Sequence, residues 1–145
     1  MEIDITPATN HGALLKRALS LVLGRRRGEV SLRLLGAKAM RALNKGALNH
    51  DYTTDVLAFD HGDTPEGRLL EIVICPAFAQ REAKKRGIPQ DQELTRYAVH
   101  GALHLKGYDD HDPEAKAKMW RAQERLLKHL FGKNYKGIGT THGHA

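Results

Sequence analysis

A chain of 145 residues is long enough for one domain with one core, burying roughly two-thirds of the surface its unfolded form exposes. Its 41% hydrophobic and 28% charged residues are ordinary for a soluble globular protein, and no apolar run approaches the roughly 20 residues of a membrane span. The formal charge of +6 favours an anionic partner, nucleic acid first, although the basic residues are scattered apart from Arg25, Arg26 and Arg27 and the same charge suits a plain soluble cation. The N-terminal MEIDITPATN has no positive region followed by an apolar stretch, so it does not read as a secretory signal. The single Cys75 excludes an internal disulfide and any Cys-rich zinc motif, and a cytoplasmic location is the expectation.

Along the chain, alternation over Ile3–Ile5 predicts a short strand. Asn10 is placed to cap a helix whose Leu14, Leu15, Ala18, Leu19 and Val22 recur at helical spacing before Gly24 ends it. Val30–Leu35 reads as a second strand and Ala37–Leu43 as a short helix, followed by a polar loop over Asn44–Thr54. Val56, Leu57 and Phe59 predict a third strand, and Asp60–Gly67 reads as a Gly- and Pro-containing connection. Leu69–Ile74, nearly continuously apolar, should be a central strand buried on both faces.

Pro76 suits the first turn of a helix ending before Gly87, and Asp91 is a candidate cap for the next, which carries Glu93–Leu105 and stops at Gly107. Asp112 followed by Pro113 starts the last helix, with Met119, Trp120, Leu126, Leu127, Leu130 and Phe131 as its apolar positions. The fold class is therefore α+β: one domain with a small mixed sheet and about five helices over residues 1–131, and a flexible tail over residues 132–145.

The chemistry lies between His100 and His111. Residues four apart on a helix share a face, so His100 and His104 can offer two imidazoles to one ion. With nine histidines in the chain that spacing alone is weak, but the neighbouring positions from Tyr97 to Leu105 carry no other strongly polar side chain, and burying imidazoles there is costly unless their ring nitrogens are satisfied. Gly107 can adopt a left-handed conformation and turn the chain back, so that Asp110 faces the histidine pair. Two His and one Asp leave a fourth position open, the arrangement of a catalytic Zn2+. The plainer alternative is a pair of core histidines hydrogen-bonded to Asp109 or Asp110.

His100, Gly101, Leu103, His104, Leu105, Gly107, Tyr108 and Asp109 match the signature His-Gly-x-Leu-His-Leu-x-Gly-Tyr-Asp-His, and on these residues the sequence resembles the YbeY family of bacterial rRNA maturation endoribonucleases. Leu43-Asn44, Thr54-Asp55-Val56-Leu57-Ala58-Phe59, Ile72-Val73-Ile74-Cys75-Pro76 and Arg81-Glu82-Ala83 extend the likeness, which runs from about Ile3 to Leu130. The resemblance implies a metal cleft beside a mixed sheet, one Zn2+ per chain, single-stranded RNA and 16S rRNA as substrates, the small ribosomal subunit as partner, and roles in small-subunit rRNA maturation and ribosome quality control. The family's third zinc histidine falls on Asp110, with His111 the alternative third ligand one position later, and the same ungapped register brings Met119 onto the family's methionine. The family's catalytic arginine falls on Leu48 and its tyrosine on Ala47. Its Gly-Asp pair falls on Leu70-Glu71 and its Ser on Ala58. Glu71 is accordingly a candidate catalytic group near the metal, against the plain reading of a charge at the start of a strand.

Three functions compete. Metal-dependent RNA strand cleavage uses His100, His104 and Asp110 through the ion. A zinc-containing assembly factor that binds RNA without cutting it would accommodate Leu48. A metallopeptidase shares the His-x-x-x-His-x-x-Gly-x-x-Asp spacing but needs Glu directly after the first His, where this chain has Gly101. Cys75 reads as a small buried hydrophobe, Trp120 as core rather than a base-stacking ring, Tyr135 as a further stacking candidate, and His142 and His144 as part of the solvated tail.

Overall fold

A computed structural model describes residues 1–48 and 55–137, with side chains 45–48 outside the described set. Strand β1 (Glu2–Thr6) leads into helix α1 (Gly12–Leu23), then β2 (Gly28–Leu34), α2 (Ala37–Leu48), β3 (Val56–Thr64), β4 (Gly67–Ile74), α3 (Pro76–Arg86), α4 (Gln90–Lys106) and α5 (Pro113–Phe131). A short 3-10 turn over Gly132–Asn134 follows. The sheet order is β1-β2-β4-β3, with β1, β2 and β4 mutually parallel and β3 antiparallel to β4. The α+β class with a mixed sheet and five α-helices is thus as the sequence suggests.

Strand β4 lies inside the sheet because its apolar run has partners on both sides. Leu32 of β2 stands opposite Ile72, and Ala58 of β3 stands opposite it on the other side. Ile72, Val73 and Ile74 are fully buried, each contributing about 1.5–3 kcal/mol relative to exposure. Burial on both faces is confined to this C-terminal half, since Leu69 is exposed.

Helix α4 crosses the sheet and packs also against α1, α3 and α5. Gly101 permits the close approach: a Cβ there would lie 2.9 Å from Ile72 Cγ2 and 3.0 Å from Val56 Cγ1. The face of α4 next to His100 is therefore pressed on β3 and β4, and the histidines stand to one side of that contact.

Several boundaries differ from the sequence reading. Helix α1 starts after His11 instead of Asn10 and α4 after Pro89 instead of Asp91, in neither case with a side-chain cap. Helix α2 continues to Leu48 where a polar loop from Asn44 was expected, because the stretch contains helix-compatible Lys, Ala and Leu; residues 49–54, including Thr54, lie outside the described set. Strand β3 continues to Thr64, so the expected connection shrinks to a tight hairpin around Pro65 and Glu66, with an irregularity between Asp60 and Asp63. Beyond α5, residues 132–137 are packed against the domain. The Gln92 side chain donates to the Asn134 carbonyl at 2.7 Å and accepts from the Lys136 amide at 2.7 Å. Residues 138–145 of the expected tail, His142 and His144 among them, lie outside the described set.

Candidate metal centre

The C-terminus of α4 builds the site. The Gly107 amide donates to the His104 carbonyl at 3.1 Å, and the Tyr108 amide reaches back to the Leu103 carbonyl at 3.0 Å. These two bonds satisfy carbonyls that the helix end would otherwise leave open, and they require Gly107 to sit at φ +113°, which a side chain resists. The chain then doubles back, with the His111 amide donating to Asp109 Oδ1 at 3.2 Å. Asp112 caps α5 by accepting from the Ala115 amide at 2.8 Å. Asp110, held between these two turns, comes under the helix end.

One ligand atom from each of His100, His104 and Asp110 lies within 4.8 Å of the other two. His111 is not part of this group. The two imidazole rings meet edge to face, with centroids 4.8 Å apart and an interplanar angle of 81°. Tetrahedral zinc holds its ligand atoms roughly 3.3–3.5 Å apart, given bonds of about 2.0–2.2 Å. A closure of little more than 1 Å, well within the reach of the exposed Asp110 side chain, would bring the three to that spacing.

Hydrogen bonds orient the imidazoles. His104 Nδ1 lies 3.2 Å from the Tyr108 carbonyl oxygen, which can only accept, so Nδ1 carries the proton. His100 Nδ1 lies 2.9 Å from Gln123 Oε1 on α5. In both rings Nε2 then bears the lone pair, as metal-ligating histidines require. The Nδ1 partners are Gln123 and the Tyr108 carbonyl, and both histidines are half-buried, which disfavours the core-histidine reading. The donor set fits zinc.

Glu71 lies elsewhere. Adjacent strand residues face opposite sides, and Ile72 faces α4, so Glu71 points to the far face of the sheet. There it accepts from Arg33 at 2.9 Å and pairs with His61 at 3.1 Å. Burial opposes its charge, but the bonds from Arg33 and His61 outweigh it and hold its carboxyl below the ordinary value. The expected place beside the metal is not where the structure puts it.

Sequence reasoning missed a buried polar network behind His100. Arg96, 4% exposed, pairs with Glu93 at 3.0 Å and with Glu124, and it donates to the Tyr135 hydroxyl at 2.9 Å. Burial and the neighbouring Glu124 push the Tyr135 phenol up, so it stays protonated and donates to Glu124. Gln123, 4% exposed, stands between this network and His100. A polar residue in an otherwise apolar stripe of α5 was the available signal. Trp120 is only half-buried, whereas Cys75 is fully buried.

The family model described as "Endoribonuclease YbeY" matches residues 5–131. The chain belongs to the YbeY family. An Endoribonuclease YbeY of Chlorobaculum parvum is 37% identical over 134 residues, covering 89% of this chain and 93% of that protein. Another, from Bdellovibrio bacteriovorus, is 38% identical over 120 residues, covering 82% and 79%. The solution structure of TM1509 from Thermotoga maritima superposes with a TM-score of 0.64 at 23% identity, covering 96% of this chain and 99% of that one, and so shares the fold. The chain is thus a member of an endoribonuclease family, and no helix among its described residues is long and apolar enough to cross a membrane. Leu48 and Ala47 fall in the last turn of α2, where side chains are outside the described set.

Proposed function

We propose that this protein is a zinc-dependent, single-strand-specific endoribonuclease of the cytoplasm, acting in 16S rRNA maturation and ribosome quality control, with residues 1–131 as its catalytic domain. The observation that carries the reading is the convergence of His100, His104 and Asp110 in a member of an endoribonuclease family. His100 and His104 would hold the ion through Nε2 and Asp110 through a carboxylate oxygen, with Gln123 and the Tyr108 carbonyl keeping the rings aligned. When bound, zinc supplies a Lewis acid for a phosphate oxygen and a means of activating water.

The chain's own residues supply binding and orientation. Lys106 is the last residue of the histidine helix, and the Lys118 ammonium stands 5.9 Å from the centre of the Tyr108 ring in the turn that follows it. These cations suit an RNA backbone, whose binding should weaken steeply as salt rises. The experiment is metal analysis of the purified protein together with cleavage of single-stranded RNA in the presence and absence of a chelator. Robust cleavage by metal-free protein would end the zinc-dependent reading.

Leu48, standing where the family has arginine, favours a second reading: a zinc-containing ribosome assembly factor that binds RNA without cutting it. Zinc and RNA binding with no cleavage would select it. The peptidase alternative is weakened by Gly101, because a side chain there would run into Ile72 and Val56 instead of reaching the ion.

A further inference from the structure

The orientation of Gln123 is fixed from behind. Its amide presents Oε1 to His100 Nδ1 at 2.9 Å and Nε2 to Glu124 Oε2 at 3.4 Å. An amide offers an acceptor at one end and donors at the other, and a carboxylate offers acceptors alone. Glu124 therefore decides which way Gln123 faces. Glu124 is itself held by two partners, the Arg96 guanidinium and the Tyr135 hydroxyl, and Arg96 in turn donates to that hydroxyl. Tyr135 belongs to the segment that Gln92 straps down from both sides, at Asn134 and Lys136.

We infer that Gln123 is a positioning residue for His100, and that the strapped segment 132–137 acts through Tyr135 and Glu124 to fix the His100 tautomer that leaves Nε2 for a metal. The physical chain has four links. Arg96 and Tyr135 hold the Glu124 carboxylate. That carboxylate draws the Gln123 amide nitrogen. The amide oxygen is left facing the ring, and it accepts the Nδ1 proton. Arg96 and Gln123 are buried, while Glu124, Tyr135 and His100 are partly exposed, so water has little access to the middle of the chain. His104, by contrast, takes its orientation from a backbone carbonyl within its own turn. The two histidines are thus set by independent devices, one local and one reaching residues beyond the last long helix.

The inference rests on the metal-site reading, and its test separates the two. Gln123→Met keeps the length and apolar packing of the side chain while removing the acceptor. In the full-length chain, zinc affinity measured by chelator competition should fall about 10- to 100-fold in Gln123→Met. Tyr135→Phe should weaken zinc about threefold, the scale of one hydrogen bond. Its effect should vanish in the Gln123→Met background, since both changes break the same chain. Zinc affinity in Gln123→Met within twofold of wild type would overturn the inference while leaving the metal site standing. A Tyr135→Phe loss of equal size in both backgrounds would overturn the route through Gln123.

A second readout needs no metal. Long-range proton–nitrogen NMR on the metal-free protein at about pH 8, above the ordinary histidine range, should show His100 as the Nδ1–H tautomer in wild type and shifted toward Nε2–H in Gln123→Met. An unaltered Nδ1–H tautomer in the variant would equally overturn it. If wild type takes up no zinc, the site reading fails separately, and the NMR result still decides the role of Gln123.

Discussion

The Tyr108 carbonyl oxygen lies 3.2 Å from His104 Nδ1, so the turn that ends the helix also orients a ring on it. Gly107 makes that turn possible at φ +113°. Gly107→Ala should cost about 1–2 kcal/mol of stability, the penalty of a left-handed conformation for an L-residue. It should also weaken zinc binding, because the Tyr108 carbonyl and Asp110 both hang from that turn. Urea unfolding and chelator competition measure the two effects. Lost stability with unchanged zinc affinity would show that the turn does not position the ligands.

Gly101 has a packing role. Gly101→Ala would press a methyl group against Ile72 and Val56 at 2.9 and 3.0 Å, and overpacking of this kind costs about 1–3 kcal/mol. A denaturant midpoint equal to that of wild type would mean that α4 lifts from the sheet without resistance.

Much of this architecture was legible because single residues carry strong local signals. Asp112 and Pro113 mark the start of α5, and Pro76 and Gly87 bracket α3, for reasons of backbone geometry that tertiary packing does not override. The apolar run ending at Ile74 announces an interior strand. The extent of α2 and β3 was not legible, since Asn44 and Gly62 read as loop residues, yet Asn44 is buried within a helix and Gly62 sits at the irregularity of a paired strand. At the site, the spacing of His100, His104 and Asp110 around Gly107 is a property of one helix and one turn. Gln123 comes to His100, and Tyr135 to Glu124, from distant positions through tertiary packing; the polar Gln123 in the apolar stripe of α5 is the one local mark, and it does not say which residue Gln123 meets. Glu71 was misplaced for the same reason: its side of the sheet depends on which residue of β4 meets α4.

Glu71 gives a pH dependence of known sign. Its folded pKa is held below the ordinary 4.5, so it contributes stability above that value and loses the contribution as pH falls through the folded pKa. Glu71→Gln should therefore melt below wild type near neutrality, with the difference shrinking at acid pH. The melting temperatures of both proteins from about pH 7 down to about pH 3 test this, and a gap that widens toward acid would contradict it.

Leu48→Arg introduces the charge that the resemblance to the YbeY family implies at this position. If the end of α2 presents it to the cleft, turnover of single-stranded RNA should rise with little change in KM, since such a group acts on charge that develops during reaction. Robust wild-type cleavage that Leu48→Arg leaves unchanged would assign the role to another residue.

The central claim is that Asp110 completes the metal site with His100 and His104. Asp110 shares the 4.8 Å cluster, whereas the adjacent His111 stands outside it and is exposed. Loss of a ligand weakens metal binding far more than loss of a neighbour. The zinc-to-protein ratio of purified Asp110→Ala and His111→Ala is the most direct measurement. Asp110→Ala should lose most of its zinc and His111→Ala should keep it, whereas zinc retained in the first and lost from the second would contradict the assignment.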